Sequence, residues 1–257
     1  MTCVPTFQRA ADLRHACRTG AFRRETAGQA PGALQANLML LPREHAFDFL
    51  LFCQRNPKPC PLIEVVCDGG LEPRCAPGAN LATDAPGYRV YRDGECVDER
   101  DDVASLWRSD MVSFLIGCSF SFDGALQAAG VALRHIELGR NVSMYRTNVA
   151  CTPAGIFHGE MVVSMRPIKS RDVARAVELS ARLPIAHGAP VHIGHPAALG
   201  VQDLGRPDYG DSVPVLDDEV PVFWACGVTP QWVAQCSRLP WCITHAPGRM
   251  FVTDLPG

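Results

Sequence analysis

No apolar run in this 257-residue chain exceeds a few residues, far short of the roughly twenty that a membrane-spanning helix needs. Basic blocks are missing as well, and the net charge is −3 with a pI near 6.2. A nucleic-acid or anionic-membrane surface would need the opposite balance. Although there are twelve cysteines, none forms a Cys-x-x-Cys pair, which excludes a zinc ribbon and a thioredoxin-type centre. No Gly-x-Gly-x-x-Gly and no Walker sequence follows a strand candidate, so no nucleotide cofactor is expected. His187, His192 and His195 are the densest histidine group. His192 and His195 would point to opposite faces of a strand, and no acid or cysteine stands at ligand spacing, so no metal is expected either.

The first twenty residues lack the continuous apolar core of an export signal. Arg9, Asp12, Arg14, His15 and Arg18 are interspersed through Thr6–Thr19, which predicts a helix over 6–19 stopped by Gly20. The cysteines are then expected to be reduced and mostly buried, and the protein cytoplasmic. At 47% hydrophobic and 20% charged residues the composition is that of a globular chain able to bury a core. With no low-complexity stretch or long linker, residues 1–257 are expected to form one compact functional unit.

What the chain does have is an apparent internal repeat, the signal that should be sought before any other. Phe114-Leu-Ile-Gly-Cys-Ser-Phe120 and Phe223-Trp-Ala-Cys-Gly-Val-Thr229 are both apolar runs ending in a Gly/Cys/hydroxyl turn before a helix-like stretch. Behind the first come His135, Gly139, Arg140, Met144, Thr147 and Asn148. Behind the second come His245, Gly248, Arg249, Met250, Thr253 and Asp254. Upstream, Leu38–Pro42 and Pro61–Val65 bracket a helical stretch, as do Val162–Pro167 and Pro190–Ile193. The prediction is two similar lobes, 34–155 and 156–257.

Apolar strands alternating with helices indicate an α/β fold: mixed sheets with flanking helices and a pseudo-twofold duplication of a β-α-β … β-turn-α unit. Asn56-Pro-Lys-Pro-Cys-Pro61 stops the first long helix firmly. Asp93-Gly94 reads as a type I′ hairpin turn, and residues 67–87 as a long ordered loop. Ser121 and Thr229 are expected to cap the helices after the two turns, with Pro230 at the first helical position.

Chemistry is expected at those turns, because helix N-termini offer free N–H groups and stabilise a nearby thiolate. Cys118 and Cys226 are candidate reactive thiols, with Ser119, Ser121 and Thr229 as polar neighbours; simple packing and capping is the competing reading. In Arg140–Asn148, Arg146 offers a fork for a carboxylate, with Tyr145 and Asn148 to complete recognition. Arg249, the repeat mate of Arg140, is a second carboxylate candidate. His245 follows a strand-like run and could act as a general acid or base, with His135 as its mate. Cys118, Arg146, Cys226 and His245 are expected to meet in one cleft between the copies, holding a small carboxylate substrate. Homo-oligomerisation is left open.

Several strings are more specific than fold class. They are Gln35-Ala-Asn-Leu38, Phe47–Pro61, Phe114–Phe122, Met144-Tyr-Arg-Thr-Asn148, Val163-Ser-Met-Arg-Pro167, Phe223–Pro230 and Thr244-His-Ala-Pro-Gly248. Over about Arg24 to Leu255 the chain resembles the bacterial hydro-lyase family, also called the D-glutamate cyclase family. The resemblance implies a cofactor-independent lyase acting on a small amino acid or its lactam, with D-glutamate and 5-oxo-D-proline as the best guess. It transfers no catalytic residues. This chain departs from the family pattern at Arg24-Glu25, at Ala33 and at His195, where the family usually has Gly-Pro, Tyr and Asp. A hydrolase or transferase dependent on Cys118, and a non-catalytic carboxylate-binding protein, are the alternatives.

Overall fold

The computed structural model describes residues 6–257 and builds them around two antiparallel sheets. Chain order is α1 (Ala10–Arg18), β1 (Ala33–Pro42), α2 (Arg43–Arg55), β2 (Leu62–Val66), β3 (Tyr88–Arg92), β4 (Glu95–Arg100), β5 (Met111–Gly117), α3 (Phe120–Ala128), α4 (Arg134–Glu137) and β6 (Ser143–Ala150). Then follow β7 (Glu160–Lys169), α5 (Val173–Ala181), β8 (His192–Ile193), β9 (Glu219–Ala225), α6 (Thr229–Cys236), β10 (Trp241–His245) and β11 (Phe251–Pro256). No helix among the described residues is long and apolar enough to cross a membrane.

The first sheet runs β2-β5-β1-β10-β3-β4, with β11 pairing β1 beside β10; the second runs β6-β7-β9-β8. The same order therefore occurs twice. In β2-β5-β1 and in β8-β9-β7, the strand before the helix-bearing turn lies between the other two. The strands that follow each turn's helix cross over. β6 joins β7 in the second sheet, while β10 and β11 join β1 in the first. Each sheet thus takes strands from the other half of the chain.

Local sequence explains most of the elements. β1 is almost wholly buried and β5 wholly so; both are largely apolar on both faces, with Gln35, Asn37 and Ser113 as their buried polar residues. Asp93 and Gly94 take positive φ angles of 50° and 82° between β3 and β4, as a type I′ turn requires. Phe49, Phe52, Phe114 and Phe157 pack edge-on and stacked beneath α2, with Phe49–Phe114 centroids 4.8 Å apart. The caps differ from expectation. Ser121 lies inside α3 and Thr229 is the first residue of α6, and neither hydroxyl caps its helix. Both are held instead by bonds to strands.

Candidate active site

The two turns are fixed by one repeated set of bonds. The N–H of Cys118 donates to the Gln35 carbonyl at 3.0 Å, and the N–H of Gln35 donates to Ser121 Oγ at 2.9 Å. In the other copy the N–H of Cys226 donates to the Val162 carbonyl at 3.0 Å, and the N–H of Val162 donates to Thr229 Oγ1 at 3.0 Å. Two residues further along the strands the contacts cross. Asn37 of β1 lies against Gly227, where a Cβ would collide with its amide. Ser164 of β7 has its Oγ 3.5 Å from Ser119 Oγ. Gly227 and Ser119 are the corresponding residues after the two cysteines.

Cys118 and Cys226 pack in one apolar cluster with Val142, Met144 and Met250, and Tyr209 borders it. Each thiol faces the backbone N–H two residues on, Phe120 for Cys118 and Val228 for Cys226. Burial raises both above the ordinary thiol range, Cys226 to about 11, against the lowering pull of those N–H groups and of Arg166. Arg166 is fully buried and grips Asp123 through two bonds of 2.8 and 3.1 Å. It also donates to Ser119 Oγ at 3.1 Å and Ser164 Oγ at 3.2 Å. His135 Nε2 stands 3.4 Å from the second oxygen of Asp123. Burial alone would raise the Asp123 carboxyl, but Arg166 and His135 hold it below the carboxylate range. His135 is itself lowered by burial.

His245, matched to His135 by the sequence repeat, ends β10, whereas His135 sits on the short helix α4. His245 is fully buried, and its Nδ1 lies 3.0 Å from the Leu38 N–H of β1. Gln231 of α6, the position matching Asp123, donates to the His245 carbonyl at 3.0 Å. Burial lowers the His245 imidazole to about 3, so near neutral pH it is uncharged.

Above this layer lies a polar cleft of about 400 Å³. Arg89 and Glu99 of the first sheet, Ala246-Pro247 and Arg249 after β10, Asn141, the Asp208-Tyr209-Gly210 loop and Glu25 line it. Cluster and cleft are adjacent in the chain: Val142, Tyr209 and Met250 below are neighbours of Asn141, Gly210 and Arg249 above. Arg89 is paired to Glu99 at 2.6 Å. Arg249 has no ion pair or hydrogen bond from its side chain among the described residues. Gly87 leaves room for it, since a Cβ there would stand 2.8 Å from the guanidinium. Burial raises the Tyr209 phenol, so it stays protonated.

The expected residues are therefore distributed over three places. Cys118, Cys226, Ser119, Ser121, Thr229 and His135 belong to the buried layer, and His245 lies directly behind Ala246 of the cleft wall. Arg249 lines the cleft. Arg146 is exposed on β6, paired to Asp208 at 2.6 Å and stacked 4.4 Å over Trp232, so it reaches the cleft only through Asp208. The Tyr145 hydroxyl is committed to the Leu204 carbonyl at 2.7 Å, and Asn148 packs at Gly200 on an exposed segment. Asp123, Arg166, Gln231, Asn37, Arg89 and Tyr209 were not singled out from sequence. Two of them carried a visible signal: Asp123 and Arg166 are lone charges inside apolar strings. Among the described residues no group of three or more histidine, cysteine or acidic side chains could hold a metal ion.

A family model described as D-glutamate cyclase matches residues 112–254. A protein named "Putative hydro-lyase" from Rubrobacter xylanophilus is 59% identical, covering 95% of each chain. One from Stutzerimonas stutzeri is also 59% identical over 95% of this chain and 93% of its own. A further relative, YcsI of Bacillus subtilis, is 54% identical over 95% of each.

Proposed function

The chain belongs to the D-glutamate cyclase family of hydro-lyases, and from that premise we propose that it interconverts a small amino acid and its lactam, with D-glutamate and 5-oxo-D-proline as substrate and product. The observation that carries this reading is Arg249, a guanidinium without a partner in a cleft large enough for one such molecule. It would hold the α-carboxylate by a charge-assisted fork. In the forward direction the ammonium loses a proton, its nitrogen attacks the side-chain carboxyl carbon, the C–N bond forms and a C–O bond breaks to release water. Asp208 and Glu25 supply carboxylates to receive the amine proton, and the protonated Tyr209 phenol can serve the departing oxygen. Nothing in this balance calls for a cofactor. His245, uncharged and bonded to β1, shapes the Ala246-Pro247 wall.

The experiment is incubation of pure protein with D- and L-glutamate and both 5-oxoprolines, read by chiral chromatography. Arg249→Ala should lower kcat/KM by about 10- to 100-fold, the size expected for one lost charged hydrogen bond. Wild-type turnover that is unchanged in Arg249→Ala removes the proposed anchor. Saturable binding without turnover selects the non-catalytic carboxylate-binding alternative. For the covalent alternative, Cys118 has Cys226, Arg166 and Asp123 as its charged or titratable neighbours, and among the described residues no histidine is hydrogen-bonded to its sulfur to act as a base.

A further inference from the structure

The cleft chemistry uses neither Cys118 nor Cys226, yet the two thiols are evenly matched. They come from equivalent strand–helix turns and are anchored by equivalent bonds to β1 and β7. Each sulfur faces the N–H two residues on, and one buried guanidinium, Arg166, acts on both. Both residues are slightly exposed, at 6% and 7%, whereas the strand residues around them are at or near zero. Close by on α6, the Gln231 amide oxygen is buried with no hydrogen-bond partner. Such symmetry has no use in packing, which any two small apolar side chains would satisfy. It has a use in one kind of reaction, where equivalent groups approach a carbon from opposite sides.

We propose that Cys118 and Cys226 form a two-thiol pair that inverts the configuration at the α-carbon of the amino acid or lactam held by the cleft. One sulfur, as thiolate, takes the α-proton, and the C–H electron pair is left on the α-carbon, delocalised into the adjoining carboxyl group. The other sulfur, as thiol, delivers its proton to the opposite face. The α-carbon ends with one hydrogen, as it began, and the thiol and thiolate have exchanged places. No oxidant or cofactor enters. The N–H donors and Arg166 stabilise whichever sulfur is ionised, and the surrounding apolar cluster keeps that thiolate strongly basic, as a weakly acidic C–H bond requires. The inference rests on the proposed function only for the cleft that presents the carboxylate.

The test is incubation in D2O of the intact protein with each of the four compounds, D- and L-glutamate and D- and L-5-oxoproline. The α-proton is followed by NMR and the product configuration by chiral chromatography. Wild type should replace the α-hydrogen with deuterium and invert the centre. Cys118→Ser should lose exchange from one enantiomer by about 100-fold or more while keeping it from the other, and Cys226→Ser should do the reverse. No exchange by wild type with any of the four compounds overturns the proposal. So do wild-type exchange rates in the Cys118→Ser/Cys226→Ser double variant, and equal slowing of both enantiomers in both single variants. Ring closure without exchange would leave the hydro-lyase reading standing and remove this one. Exchange with inversion but no ring closure would do the opposite.

Discussion

The turn after β5 and the turn after β9 share a backbone frame and differ in charge. In the first, Asp123 stands five residues after the cysteine, bonded to Arg166 and close to His135. In the second, Gln231 stands five residues after the cysteine and bonds to His245. The first copy thus buries an ion pair and the second a neutral amide, in the same place relative to the same turn. The frame accounts for the position of both thiols, while the charge on one side accounts for the field they share. A symmetric scaffold with asymmetric electrostatics can treat the two faces of a bound molecule alike in geometry and differently in acidity.

The largest effect should come from breaking the charged half of that comparison. Asp123→Ala leaves Arg166, fully buried, without its counter-charge. Removing one partner of a buried pair costs about 3–5 kcal/mol, and the urea midpoint should fall accordingly. Gln231→Ala removes only a neutral hydrogen bond and should cost about 1 kcal/mol. Equal losses in the two variants would mean that the two turns are energetically alike and that the charge difference has no weight.

The next effect is on pH. His245 is lowered to about 3 and His187, bonded to the Lys58 carbonyl, to about 4, both chiefly by burial. Below the ordinary imidazole pKa of about 6.5 the unfolded chain binds protons that the folded chain refuses, so stability falls as pH drops. The contribution of each histidine is complete above about pH 6.5 and is lost progressively down to its folded-state pKa. Between pH 6.5 and 5 the loss should approach about 2 kcal/mol per histidine. Thermal unfolding across pH 5 to 7.5 checks this, and His245→Asn should flatten the dependence. A profile that is flat in wild type would show that the folded protein takes up these protons as readily as the unfolded chain does.

The sequence carried the strand–turn–helix repeat because apolar strings and Gly/Cys/hydroxyl turns are local patterns. It did not carry the crossing of β6, β10 and β11 between sheets, since pairing partners far apart in sequence leave no local mark. The fold is α/β as expected, and the strand pairings are antiparallel both where strands cross between sheets and where they do not. At the site, Arg249 and the two cysteines were legible from their repeat positions. Arg146 was legible as a carboxylate fork, but Asp208 and the face of Trp232 occupy it, and both lie more than sixty residues away in sequence. Asp123 and Arg166 had the plainer signal, an isolated charge in an apolar string. A burial argument applied to each lone charge would have paired them, because a charge is kept in a core only with a partner.

The smallest effect tests whether the shared frame is real. Ser121→Ala removes the acceptor for the Gln35 N–H, and Thr229→Val removes the acceptor for the Val162 N–H with little change in volume. Each leaves one buried backbone donor without its partner, so each should cost about 1 kcal/mol or somewhat more. Because the two bonds fix opposite turns, the double variant tests coupling between them. Additive losses by urea denaturation would place the turns on independent supports. A double-variant loss departing from the sum by more than about 0.5 kcal/mol would show that the cysteine turns are held as one unit through β1 and β7. Coupling is the expected result, because Asn37 of β1 packs against the second turn and Ser164 of β7 against the first. Each strand that anchors one cysteine thus touches the residue following the other.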